Sequence, residues 1–189
     1  MRLTNLPVIR QYLKFAIGIP ALAMAFLVAG TGPAALACPY SGKTPANLTT
    51  AQAEQSVTCL VNKTRRHQHA RRLAWNPGLQ SAAQSHSAAM DSGNFFSHDG
   101  DGSTLDRIRA TGYLGGASSW MVGENIHWGA GRKGSPKATV ARWMRSPTHR
   151  SAMLSRRFRN IGVGVAMGSP MGGGGADTAI YTADFGLSR

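Results

Sequence analysis

The chain has 189 residues, 21 Lys and Arg against 8 Asp and Glu, a formal net charge of +13 and 42% hydrophobic residues. That length fits one domain with one real core and leaves no room for several. The excess of positive charge suits nucleic acid, an anionic polymer or a membrane surface, and the compartment decides among them.

Residues 1–14 carry Arg2, Arg10 and Lys14 and no acid, after which Phe15 to Ala29 is apolar up to a Gly/Pro break at residues 30–33. This is a charged region followed by an apolar one shorter than the ~20 residues that span a bilayer. Ala35-Leu36-Ala37 then supplies the small-x-small pattern of a signal-peptidase site, so residues 1–37 read as an export signal cut before Cys38. Lipidation of Cys38 fits less well, because Ala35 and Leu36 stand where a lipobox wants a branched apolar and a small residue. Losing three basic residues leaves 18 against 8, a net +10, in a compartment where anionic envelope polymers and headgroups replace nucleic acid as partners. There Cys38 and Cys59, the two cysteines of the chain, are expected to form a disulfide closing a loop of about 22 residues, worth ~3 kcal/mol.

Residues 38–53 read as a polar lead-in. Thr50 can cap a helix over about Ala51 to His67, followed by a basic turn at residues 65–72. Asn76 and Pro77 open a second helix, in which Leu79, Ala82, Ala83, His86 and Met90 recur on one face until Gly93. Ser103 to Asp106 is a capping box for a short helix to about Thr111. Glu124 to Trp128 alternates like a strand, 129–135 is a loop, and Pro136 to Met144 is a helix turning Val140, Trp143 and Met144 inward. Ser146-Pro147 starts a further short helix through Leu154, and the runs 161–167 and 179–185 form an antiparallel hairpin. Helices first and a hairpin last, without βαβ alternation, imply an α+β fold with an antiparallel sheet.

Local signatures for common chemistry fail in context. Residues 129–134 match G-x-G-x-x-G, but no acid follows about 20 residues on and no βαβ unit surrounds them. Asp99 and Asp101 resemble the start of a calcium loop without its closing Glu. Three residues stand in built surroundings: His98 before a turn, Glu124 in Gly123-Glu124-Asn125, and His149 in the first turn of a helix, where the dipole favours a neutral ring. Two neutral His and a carboxylate suit a divalent metal with an open position, or Glu124 as a base on metal-bound water. His86, on an apolar stripe, reads as a hydrogen-bonded core histidine, and His127 should face away from Glu124 across its strand.

Asn62-Lys63-Thr64-Arg65, Leu73-Ala74-Trp75-Asn76, His86-Ser87-Ala88-Ala89-Met90, Phe96-Ser97-His98, Gly123-Glu124-Asn125-Ile126, Trp143 through Arg150, and Ile161-Gly162-Val163-Gly164 occur in that order. Together they resemble the bacterial branch of the CAP superfamily (cysteine-rich secretory, antigen five and pathogenesis-related proteins) over about residues 54–186. The resemblance implies a three-layer α-β-α sandwich with a central antiparallel sheet, and a cleft lined by His98, Glu124, Ser146 and His149. In relatives a second Glu stands where this chain has Ser146, which weakens a metal site built on His98 and His149. His69 stands where relatives have a helix-ending Gly, a position His tolerates at positive φ.

Three functions follow from these readings. The first is a secreted, monomeric binding module for a small apolar ligand of lipid or sterol type, with Met90, Met121, Met144 and Met153 as adaptable walls and no required cofactor. The second is a hydrolase using Zn²⁺ or another divalent cation on His98 and His149, with Glu124 as base. The third is an envelope-binding protein with a basic face of Arg142, Arg145, Arg150, Arg156, Arg157 and Arg159 for anionic polymers or headgroups; nucleic acid is not an expected partner. Ligand binding should survive a chelator and loss of His98, hydrolysis should not, and envelope binding should fall with salt.

Overall fold

The computed structural model describes residues 37–173 and 175–189, so the export signal, apart from Ala37, lies outside the described residues. The elements are α1 (Thr50–His67), β1 (Ala74–Trp75), α2 (Pro77–Ser92), α3 (Thr104–Ala110), β2 (Trp120–Ala130), α4 (Pro136–Arg145), α5 (Pro147–Leu154), β3 (Asn160–Ala166) and β4 (Thr178–Ser188). The sheet runs β1-β3-β4-β2, with β4 antiparallel to both β2 and β3, and β1 parallel to β3. Helices α2 and α3 cover one face, and α1, α4 and α5 the other, giving three layers.

Local chemistry starts most of these helices. The α1 cap is Thr49, one residue before the expected Thr50. Gln52 stands at the third helical position from Thr49 and returns a bond to its backbone, whereas the third position from Thr50 is Ala53, which has nothing to return. Asn76, Ser103 and Ser135 each accept a bond from the first turn of α2, α3 and α4. His69 ends the turn after α1 at φ +53°. The Cys38–Cys59 disulfide is present and pins the lead-in to α1.

Two readings of the strands change. Residues 74–75 read in sequence only as a helix lead-in; they form β1, too short to show any alternation and fixed solely by pairing with Asn160 and Ile161. The sheet is therefore mixed at that edge. Strand β2 is also longer than Glu124 to Trp128, because β4 offers pairing partners along its whole length and so draws in β2 residues such as Gly123 and Gly129 that lack strand preference.

The larger core lies under α1, α4 and α5, where Val57, Val61, Trp143, Ile161, Val163 and Phe185 are buried. Trp143 Nε1 donates to Ile126 O at 3.0 Å and Tyr181 OH to Gly134 O at 2.6 Å, so the aromatic payload keeps its polar atoms satisfied. Arg65 is fully buried, its guanidinium donating to the carbonyls of Arg71, Met153 and Ser155, so it ties the basic turn to the end of α5.

On the other face α2 lies directly on the β3 backbone. A Cβ at Gly162 would fall inside the α2 backbone at Leu79 and Gln80, and one at Gly164 at Ala83 and Gln84. The close approach lets two helical glutamines, four residues apart, complete the edge of β3 beyond the short β1. Gln80 Oε1 accepts from Val163 N at 3.1 Å, and Gln84 accepts from Val165 N at 3.0 Å while donating to Val165 O at 3.1 Å. They satisfy and cover a strand edge that would otherwise template pairing with another chain.

Gly164→Ala is expected to lower stability by about 3 kcal/mol, because the added methyl must push α2 off the sheet. Gly42→Ala, where nothing stands within 4 Å, should stay within ~0.5 kcal/mol. Urea unfolding of the two variants checks both outcomes.

Candidate functional site

Strand β2 is the edge strand and sends consecutive side chains to opposite faces. Glu124 points into the α2/α3 layer, its side chain only 2% exposed. Its Oε1 is 2.6 Å from His98 Nδ1, and its Oε2 accepts from Arg107 Nη2 at 2.7 Å. Arg107 also donates to Asp101 Oδ1 at 2.8 Å and to the His98 carbonyl at 3.0 Å, so one α3 side chain holds both the carboxylate and the loop that carries His98. Asp101 Oδ1 lies 2.7 Å from Nδ1 of the fully buried His86, whose Nε2 has no hydrogen-bond partner and sits 3.8 Å from Glu124 Oε1. The four groups close a ring: Glu124, Arg107, Asp101, His86.

Asp184 adds a third acid. It is the cross-strand partner of Glu124, fully buried, and neither oxygen finds a hydrogen-bond partner. Burial first and the Glu124 charge second push its carboxyl well above the usual range, against the pull of Arg107, so it holds its proton more tightly than an exposed Asp does. Burial also pushes Glu124 up, but His98, His86 and Arg107 overcome it and leave Glu124 below its ordinary value. Two carboxyls directly opposite each other are thus shifted in opposite directions.

His98 is 46% exposed, and the bond to Glu124 raises its pKa against the effect of burial. With the Nδ1 proton on the carboxylate, Nε2 is the nitrogen left facing outward. On the other face Asn125, the next residue of β2, donates to the His149 carbonyl at 3.0 Å and fixes the start of α5. Burial first, and the His98 charge second, lower the His149 pKa, so its ring is neutral; its Nδ1 is buried without a partner. Strand β2 therefore positions both histidines, one through Glu124 and one through Asn125.

Between β2, α4 and α5 runs a groove of about 800 Å³. Phe96, Ile126, Trp128 and Trp143 supply its apolar wall; Lys133, Arg142, Arg145, His127 and His149 its polar rim. Ser146 lines it too and makes no capping bond. His98 and Glu124 are not among its walls, and neither are Met90, Met121, Met144 and Met153, which pack in or against the cores. His127 faces away from Glu124, as its strand position requires, and its pKa is lowered by burial. The Arg159 guanidinium folds back onto the carbonyls of Arg156, Arg157 and Phe158.

These donors do not make a resident metal site. His98 has one uncommitted ring nitrogen and His149 two, of which Nδ1 is buried; both Glu124 oxygens are engaged, and among the described residues no three His, Cys, Asp or Glu are placed to hold an ion. Glu124 also has no open face from which to take a proton from water. Its position makes it a support for His98.

The sequence singles out His98, Glu124 and His149 but gives no sign of Arg107, Asp101 and Asp184 as site residues and assigns His86 no part in the site. The one cue to Asp101 is the acidic loop; in the structure it meets Arg107 and His86. Arg107 has only its place one residue past a capping box, and Asp184 only its place in an apolar strand.

Stability against pH tests the charge assignment. Asp184 binds its proton more tightly folded than unfolded, so it costs stability as pH rises above the unfolded carboxylate value of ~3.9. Asp184→Asn should therefore be more stable than the parent at pH 7, the gap closing near pH 4 in thermal melts. Glu124 has the opposite sign: its contribution is present above the unfolded value and lost as pH falls through the folded one. Glu124→Gln should cost roughly 3 kcal/mol at pH 7, by leaving Arg107 without its buried partner, and less toward acid.

The sequence matches the cysteine-rich secretory protein family, CAP, over residues 59–184, which takes in every element from the C-terminal half of α1 to β4. Among curated relatives, the uncharacterized protein YkwD of Bacillus subtilis is 34% identical over 113 residues, 59% of this chain and 41% of that protein. The uncharacterized membrane protein YlbC of the same organism is 31% identical over 115 residues, 60% of this chain and 31% of its own length. The chain thus spans less than half the length of the curated relatives it matches. An extracellular protein of Bacillus anthracis containing a SCP domain superposes with a TM-score of 0.60 at 27% identity, covering 74% of this chain and 41% of that one. An outer surface protein of Borrelia burgdorferi shares the fold at a TM-score of 0.62 and 16% identity, over 75% of this chain and 97% of that one. With two thirds of its length inside the family match, and an α-β-α sandwich of the same fold as these structures, the chain belongs to the CAP family.

Proposed function

We propose that this protein is an exported binding protein whose β2/α4/α5 groove takes a small amphipathic ligand, an apolar body with an anionic head. One observation carries the reading: the groove joins an apolar wall containing Trp128, Trp143 and Ile126 to a rim of Lys133, Arg142, Arg145 and two histidines, with no carboxylate among its lining residues. An apolar body would gain by leaving water against Trp128 and Phe96, with the fully buried Trp143 beneath them, and an anionic head would meet only positive or neutral groups. A ligand of fatty-acid type has this chemistry.

Export is supported by the charged and apolar leader in residues 1–37, by the Cys38–Cys59 disulfide and by the likeness to an extracellular relative. No described helix is long and apolar enough to cross a membrane. The Glu124 ring serves this reading as scaffold: Arg107 and Glu124 hold the loop of Phe96 and His98 against the groove end, and binding needs neither a metal nor a base.

Laurate titrated into the protein is expected to bind saturably, and Trp128→Ala or the pair Arg142→Gln/Arg145→Gln to weaken it by about tenfold or more, ~1.4 kcal/mol. EDTA and His98→Ala should leave affinity within about twofold, a change near RT ln 2. Loss of binding with EDTA, or hydrolysis of an ester substrate that His98→Ala abolishes, would replace this reading with the metal-assisted one.

A further inference from the structure

A second groove, of about 630 Å³, lies at the opposite edge of the sheet and shares no residue with the first. Its walls include Thr58, Lys63 and Arg66 of α1, Arg72 of the turn that follows, Trp75 of β1 and Gln80 of α2. Trp75 is 58% exposed, the most exposed aromatic side chain among the described residues. The indole is nonetheless held in place. Its Nε1 donates to Gln80 Oε1 at 3.3 Å, Gln80 Nε2 donates to Glu54 Oε2 at 2.8 Å, and the same Gln80 oxygen accepts from Val163 N. Trp120, the next most exposed tryptophan, carries the Arg109 guanidinium over its ring at 5.5 Å; among the described residues no cation covers the Trp75 ring. A fixed, uncovered indole face at a groove is the form an aromatic takes when a ligand is to stack on it.

The charge of the groove points the same way. Lys63, Arg66 and Arg72 take part in no salt bridge among the described residues. The one acid in the walls, Glu54, is already engaged by Gln80. The remaining wall is mixed: Pro39, Ala51 and Cys59 give apolar surface, while Gln55 and Thr58 bring hydrogen-bonding groups that a bare acyl chain would cover without partners. What fits is a ligand that is ringed, hydroxylated and anionic. We propose that this groove is a second binding site, taking an anionic saccharide whose ring stacks on Trp75 and whose carboxylate or phosphate groups meet Lys63, Arg66 and Arg72. The C–H face of a sugar ring carries partial positive charge and matches the negative face of the indole, while the three cations select the charged sugar over a neutral one.

Titration of trigalacturonate into the disulfide-bonded protein, followed by calorimetry, tests the proposal. Saturable binding is expected, at least tenfold weaker in Trp75→Ala and in Lys63→Gln/Arg66→Gln/Arg72→Gln, retained in Trp75→Tyr, and unchanged in Trp128→Ala. Maltotriose, with the same number of rings and no charge, should bind at least tenfold more weakly. Three outcomes would overturn it: no saturable binding of trigalacturonate, affinity unaffected by Trp75→Ala, or polyacrylate of matched charge binding as tightly as the saccharide, which would mean general charge attraction. Because Trp128 belongs to the first groove alone, failure here leaves the laurate reading standing, and the converse.

Discussion

Helix α2 can lie on the sheet only because β3 has no side chains at Gly162 and Gly164, and most of the molecule follows from that contact. Ser87 then reaches the Gly164 carbonyl at 3.0 Å and Thr182 Oγ1 at 2.9 Å. Gln80 and Gln84 reach the bare edge of β3. His86, on the same helix, arrives beside Asp101 and Glu124, where its ring helps to enclose the carboxylate. A helix held about 1–2 Å further away would lose these bonds together, since each would be stretched past hydrogen-bond reach.

The buried ring around Glu124 shows how a strongly basic protein uses its few acids. Asp101, Glu124 and Asp184, three of the eight, sit inside one network, and Asp177 accepts from the backbone of Ala46. Burying such a network costs desolvation that good pairing only offsets, so its gain is specificity of arrangement rather than stability. Arg107 fixes the loop of His98, Glu124 fixes the His98 ring, and burial beside Glu124 shifts Asp184 toward its neutral form. The consequence at the surface is that both grooves are rimmed by cations with little acid to compete for an anionic ligand.

The two faces of β2 explain why the site is split. Glu124 and Asn125 are neighbours in sequence and point apart, so His98 and His149 approach one another around the sheet edge rather than across a single pocket. The larger groove wraps the β2 edge, taking His149 and Ser146 from the Asn125 side and Ile126 and Trp128 from the Glu124 side, while His98 and Glu124 are not among its walls. A set of residues that looks like one cleft in a row of motifs is in space a scaffold and a groove.

What could be read from the sequence alone was what is decided within a few residues: the helix starts at Asn76, Ser103 and Ser146, the helix stripe from Leu79 to Met90, the turn at His69, the closing hairpin and the single possible disulfide. Those depend on backbone groups three or four positions apart or on local conformational preference. Family resemblance added the sandwich and Ser146, and grouped His98, Glu124 and His149, already singled out by their surroundings, into one cleft. Tertiary structure alone decided the rest. Arg107 meets Glu124 across 17 positions, Asp184 meets it through the β2/β4 register, β1 exists only because β3 pairs with it, and Trp75 faces a groove only because Gln80 fixes its ring. Such contacts are set by strand register and layer packing, which carry no signature in the residues that make them, so they become visible only once the chain is folded.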